Sequence, residues 1–176
     1  MKITYFVHST TTDNEAGRAT GWLPGVLSAK GIEQAKALPG LLEDATFEVV
    51  YASDLQRAID SSELGFGKTH QIRTDERLRE ANYGDFNGQP HSFKDSMKDY
   101  VNSPFPNGES YKDAQARMQS FIEEVKGLGL KHIAIVASEA PQLALEVIAN
   151  GKTWDEAIDQ NWRKRKAWQP GWVYEV

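Results

Sequence analysis

The sequence predicts an α/β fold: a three-layer sandwich with a mostly parallel central sheet and helices on both faces. Three observations carry this expectation. Short apolar runs rich in β-branched and aromatic residues alternate with stretches of helical period, as βα units require. Ile133-Ala134-Ile135-Val136-Ala137 is apolar at every position, the pattern of a central strand covered on both sides. Polar side chains able to do chemistry follow the strands: His8 after the first, Ser53 and Arg57 after the second, Ser138 and Glu139 after Ile133–Ala137. In open parallel sheets, ligands sit beyond the carboxyl ends of strands.

The elements follow in order. Ile3–Val7 reads as a strand and 8–27 as a polar loop. Ser28 is placed to cap a helix over Ile32, Ala35 and Leu38, which Pro39 must break. Phe47–Tyr51 is a second strand, and Ser53 is expected to cap a helix over Leu55, Ala58, Ile59 and Ser62. Gln71–Arg73 is a short strand, and residues 78–91 read as loop punctuated by Gly84 and Gly88. Ser103–Gly108 is a breaker segment. Ser110 and Asp113 form a capping box for a helix burying Met118, Phe121, Ile122 and Val125. A helix over Leu143, Leu145, Val147 and Ile148 follows the central strand. Thr153 and Glu156 make a second capping box, and Trp172–Val176 is a terminal strand.

Composition narrows the function classes. The chain of 176 residues, 40% hydrophobic and 26% charged, suits one domain over 1–176. Its net charge of −5 argues against nucleic acid or an anionic membrane as partner. With no cysteine, disulfides, thiolate zinc sites and thiol nucleophiles are excluded. The apolar run at the N-terminus is too short for a signal peptide, and none approaches a membrane span, so a cytoplasmic protein is expected. Arg163–Lys166 is the densest basic run and reads as a solvated turn. Trp154, Trp162, Trp168 and Trp172 read first as packing of the last helix and strand. As interface anchors they would leave a homodimer open.

Six motifs point further. Val7-His8-Ser9-Thr10-Thr11-Thr12-Asp13-Asn14 resembles the Arg-His-Gly-Glu-Thr-x-x-Asn opening of the histidine phosphatase superfamily, in its phosphoglycerate-mutase-like branch. Thr20-Gly21-Trp22 resembles its Thr-Gly-Trp turn, and Leu27-Ser28-x-x-Gly31-x-x-Gln34-Ala35 its Leu-Thr-x-x-Gly-x-x-Gln-Ala helix entry. Tyr51-Ala52-Ser53-Asp54-Leu55-x-Arg57-Ala58 is similar to its Tyr-x-Ser-Asp-Leu-x-Arg-Ala. Leu78-x-Glu80-x-x-Tyr83-Gly84-x-Phe86-x-Gly88 and Pro106-x-Gly108-Glu109-Ser110 complete the series, in family order.

The resemblance implies a phosphatase acting on a small phosphomonoester, with a phosphohistidine on His8 and no metal or cofactor. A phosphoglycerate mutase is the weaker expectation. The resemblance also assigns roles: His8 as nucleophile, Arg57 as phosphate ligand, Glu80 as proton donor, and Asn14, Thr20, Gly21 and Tyr83 as pocket lining. The chemistry suits the residues, because phosphoryl transfer needs an in-line nucleophile, positive donors around the equatorial oxygens and an acid for the leaving oxygen.

Two of the four central phosphate-pocket residues of the family are replaced. Its first Arg is Val7 here, and its second His is Ser138, which supplies a hydroxyl without charge. Losing one preorganised donor costs on the order of 10²–10³ in rate, so a much reduced activity is expected. Glu139 would add repulsion if it faced the pocket, whereas Arg18 or Arg79 would compensate if either reached it. The alternative is a catalytically impaired member that binds a phosphorylated or other anionic ligand, or an engineered inactive variant.

Overall fold

The computed structural model describes residues 1–41, 46–165 and 171–176. Five strands form one sheet: β1 (Lys2–Val7), β2 (Val49–Ala52), β3 (Ile72–Thr74), β4 (His132–Ala137) and β5 (Trp172–Glu175), in the spatial order β3-β2-β4-β1-β5. All pairs among β1 to β4 are parallel, and β5 joins the edge antiparallel to β1. β4 is central, as its unbroken apolar run requires.

Period-two alternation sorts the strand side chains into two cores. Ile3, Tyr5, Val7, Val49, Tyr51, Ile133 and Ile135 face one layer. It holds α4 (Tyr111–Gly127), α5 (Glu139–Ile148) and α6 (Trp154–Asp159), which bury Met118, Phe121, Leu143 and Ile158 there. Phe6, Val50, Ala134 and Val136 face the other way, against Leu38 and Phe66. On that side lie α2 (Ala29–Ala37) and α3 (Gln56–Phe66).

Both expected capping boxes form, Ser110 with Asp113 and Thr153 with Glu156. Ser28 caps α2, which passes into a 3-10 turn over Leu38–Leu41 where Pro39 lacks a donor. Two local expectations need correction. Ser53 does not cap α3; its hydroxyl accepts from Leu55 N–H, and the helix starts at Gln56 without a side-chain cap. The polar loop 8–27 contains a short helix, α1 (Thr12–Glu15), closed by a capping box between Thr11 and Asn14. Residues 78–91 are also more regular than expected, with 3-10 turns at Glu76–Leu78 and Gly84–Phe86, and a longer 3-10 segment begins at His91.

Gly31 shows how tightly α2 seats on the loop after β1. A Cβ there would lie 1.9 Å from the Thr10 carbonyl oxygen, a backbone atom that has no room to yield. Alanine in a helix interior ordinarily gains about 1 kcal/mol over glycine. Here the clash outweighs that gain, so Gly31→Ala is expected to destabilise by about 2 kcal/mol, the usual scale of overpacking. Urea denaturation of the two proteins checks this, and a rise in stability would contradict the close approach.

The sheet register positions the site. Val7 pairs with Ala137 and Ala52 with Val136, so β1, β2 and β4 end level. His8 N–H continues the ladder to Ala137 O at 2.7 Å and Ser53 N–H to Val136 O at 3.1 Å. His8, Ser53 and Ser138 therefore leave the sheet side by side.

Candidate active site

His8 is buried at the carboxyl end of β1, and its ring is held from both sides. Nδ1 lies 2.9 Å from Ser9 O, a carbonyl that can only accept, so Nδ1 carries the proton. Nε2 then carries the ring's lone pair, which accepts from Arg57 Nε–H at 3.1 Å. Burial first, and the Arg57 guanidinium second, push the His8 imidazole well below its ordinary titration range; the Ser9 carbonyl opposes this less strongly. The ring is therefore a neutral imidazole with one defined basic nitrogen.

Arg57 lies in the first turn of α3 and is 1% exposed. Besides His8, its guanidinium donates to Gly21 O at 2.7 Å, Leu23 O at 2.7 Å and Pro24 O at 3.4 Å. It is a strut that fixes the 21–24 turn over the histidine. Gly21 adopts a positive φ of 57°, and a Cβ would meet Asn87 Oδ1 at 1.8 Å, so the turn needs glycine.

Glu80 is buried opposite. Its Oε1 accepts from Ala140 N–H at 2.9 Å and from Ala81 N–H at 3.0 Å, and Oε2 accepts from Glu139 N–H at 3.3 Å. Glu80 thus caps α5 from a distant part of the chain, since Ser138 at the N-cap position makes no side-chain capping bond. It does not pair with Arg77 or Arg79. Arg77 binds Asp75 and Glu124, and Arg79 forks onto Asp54 at 2.7 and 2.5 Å while stacking over Trp22.

These groups line one pocket of about 210 Å³ together with Asn14, Thr20, Gly21 and Tyr83. Asn14 is oriented by the α1 capping box, and Thr20 donates to Asp13 at 3.0 Å. The Tyr83 hydroxyl is buried with no hydrogen-bond partner among the described residues, and burial raises its pKa well above the usual value. The sequence-derived lining is therefore brought together, with one exception. Ser138 stands outside the pocket wall, its hydroxyl buried with no partner among the described residues and its carbonyl accepting from Tyr5 OH at 2.6 Å.

The cations of the wall differ from expectation. Arg18 reaches the pocket, but Arg79 does not. His91, Lys94 and Arg163 line it as well. Arg163 thus leaves the solvated turn expected for its basic run, whereas exposed Lys164 stays on the surface beside Asp159; Lys166 and Trp168 lie outside the described residues. Glu139 does not face the pocket. It is buried against Lys94 and Asn161, with Arg163 3.0 Å away.

A neutral histidine whose Nε2 lone pair accepts from a buried guanidinium, a carboxyl across the cavity and further cations around the rim define a phosphate-handling α/β protein. The chain belongs to the histidine phosphatase superfamily (branch 1), whose family model matches residues 5–167. It is 26% identical over 174 residues to phosphoserine phosphatase 1 of Hydrogenobacter thermophilus, covering 90% of this chain and 82% of that one. It is 28% identical over 155 residues to the adenosylcobalamin/alpha-ribazole phosphatase of Salmonella typhimurium, covering 82% and 77%. The solved structure of mycobacterial glucosyl-3-phosphoglycerate phosphatase with VO3 superposes with a TM-score of 0.78 at 25% identity, covering 90% and 86%. Phosphoglycerate mutase from Bacillus anthracis shares the fold, with a TM-score of 0.74 at 21% identity over 86% and 80%.

Proposed function

We propose that the chain hydrolyses a small phosphomonoester through a phosphohistidine on His8. The observation that carries this reading is the His8 tautomer. With Nδ1–H tied to Ser9 O, the lone pair of Nε2 is the ring's one nucleophilic position, and burial keeps it unprotonated. For attack the Arg57 Nε–H leaves the Nε2 lone pair and turns to a phosphoryl oxygen. Nε2 then attacks phosphorus as the bond to the ester oxygen breaks, and Glu80 delivers a proton to that oxygen. Water then attacks the phosphohistidine, giving its proton back to Glu80 and releasing phosphate and free His8. Arg57 supplies charge beside the transferring group, and Asn14, Thr20, Gly21 and Tyr83 shape the substrate side.

The relatives' names support a small phosphorylated substrate. So does the pocket volume of about 210 Å³, which is below the usual size of a drug-like site. The net charge of −5 supports leaving out nucleic acid and anionic membranes, and among the described residues no helix is long and apolar enough to cross a membrane. A cytoplasmic setting belongs to the same reading. One observation favours a slow enzyme or a pure binder instead. Val7 and Ser138 bring no charge, and most Arg57 donors are already engaged by carbonyls of the 21–24 turn.

Release of inorganic phosphate from an aryl phosphate, followed against pH, tests the reading. His8 must be neutral to attack, and its pKa lies well below that of an ordinary histidine. Protonation therefore removes the nucleophile only at a pH well under about 6.5, so kcat/KM is expected to hold as pH falls from 7 to 6. A profile that collapses through pH 6.5 would show an ordinary histidine there. Complete absence of phosphate release, with phosphate still bound, would favour the binding reading.

A further inference from the structure

Lys94 and Arg163 arrive from separate segments, the 3-10 helices His91–Tyr100 and Trp162–Arg165, yet both reach the His8 pocket. Glu139 brings them together. It is the first residue of α5 and is 1% exposed. Its Oε2 accepts from Lys94 Nζ at 2.5 Å, and its Oε1 accepts from Asn161 Nδ2 at 2.7 Å. Burial alone would raise the Glu139 carboxyl; Lys94 and Arg163 more than reverse this and hold it below the usual carboxylate range.

The cluster is not neutral. One carboxylate faces two cations, which leaves a surplus positive charge beside His8, and both cations contribute to the depression of the histidine. Nor are the donors exhausted. Arg163 Nε lies 3.0 Å from Glu139 Oε1, yet its N–H makes no hydrogen bond among the described residues. Lys94 Nζ sits 4.9 Å from the centre of the Tyr83 ring, another pocket wall. Burying an ion costs several kcal/mol, so a buried carboxylate holding two cations at a pocket rim is weakly accounted for by stability alone.

We propose that Glu139 is a positioning residue that anchors Lys94 and Arg163 as a second cationic wall of the pocket, where the two side chains bind the phosphoryl oxygens that Arg57 leaves unserved. The proposal rests on the phosphohydrolase reading. It also explains how a pocket with Val7 and Ser138 retains positive charge: the charge comes from chain segments that follow β3 and α6 instead of from the ends of β1 and β4.

The test uses Lys94→Gln and Arg163→Gln, which remove charge while leaving an amide donor for Glu139. A hydrogen bond to a charged group contributes about 1.5–3 kcal/mol, and 1.4 kcal/mol is tenfold. Each variant is therefore expected to weaken inorganic phosphate binding by calorimetry, and to raise KM for an aryl phosphate, about tenfold or more. Glu139→Gln should weaken phosphate binding in the parent and add little in the Lys94→Gln/Arg163→Gln background. A merely structural Glu139 would act equally in both. If Glu139→Gln does not fold by circular dichroism, the two cation variants decide. Phosphate affinity and KM unchanged within about twofold in both, in a parent that hydrolyses the ester, overturn this proposal alone. A parent that neither binds phosphate nor releases it overturns the phosphohydrolase reading as well.

Discussion

His8→Ala is expected to lower turnover of an aryl phosphate by about 10³-fold or more, the scale seen when a covalent nucleophile is removed and only binding and electrostatics remain. The geometry leaves little room for substitution. Among the described residues, His91 is the other histidine on the pocket wall, and it is exposed at the rim. The remaining histidines are remote: His70 lies 3.2 Å from Phe47 O, and His132 bonds Thr4 on the far end of β4. The variant also strips Arg57 Nε–H of its acceptor in a buried site, which costs about 1–3 kcal/mol. His8→Gln, whose amide oxygen reaches the position of Nε2, offers Arg57 an acceptor, so it separates lost chemistry from lost stability. Both variants should abolish a phosphorylated enzyme trapped by an alkaline denaturing quench, which preserves the acid-labile P–N bond, and read by mass spectrometry, while retaining phosphate affinity. Turnover within tenfold of the parent in either variant would remove His8 as the nucleophile.

The parts of the site that were legible in the sequence are those fixed by local chain geometry. His8, Ser53 and Ser138 each directly follow an apolar strand, and a level register places such residues together whatever the rest of the fold does. Arg57 and Glu80 followed from motif spacing. What stayed hidden depends on contacts between distant segments. Lys94 and Arg163 carry no local signal, because their placement is set by Glu139 meeting them from α5. The segment His91–Tyr100 has no clean period. It is held by aromatic packing, Phe93 stacked on Phe86 and Tyr100 on Phe105 at 3.9 Å between ring centres, which is tertiary in origin. Ser53 misled because a serine before a helix ordinarily caps it, whereas here a bend over Asp54 and Leu55 intervenes and the helix starts only at Gln56. The α1 helix did leave a signal in Thr11 and Asn14 at capping-box spacing, but four polar residues have no apolar face to reveal a period.

Glu80→Gln separates the acid from the strut. As a strut the carboxyl caps α5 through Ala140 and Glu139 N–H and also receives Ala81 N–H. The amide oxygen of glutamine can keep the two shorter bonds, those at 2.9 and 3.0 Å, and gives up only the 3.3 Å contact. The fold should therefore survive, with a loss of about 1 kcal/mol in urea. As an acid, glutamine has no proton to give. General acid catalysis contributes about 10²–10⁴ in rate, and it matters in proportion to how poorly the leaving oxygen bears negative charge. With an alkyl phosphate, whose alkoxide must be protonated as it departs, Glu80→Gln is expected to lower kcat/KM by about 10²-fold or more. With a nitrophenyl phosphate, whose leaving oxygen is stable as an anion, the fall in the first step should be much smaller. The measurement is therefore the ratio of kcat/KM values for the two esters in parent and variant, because kcat/KM reports the first step and leaves out the hydrolysis of the phosphohistidine common to both. An equal fall on both esters would mean that Glu80 acts only through the position of α5 and leaves the leaving group to find its proton from water.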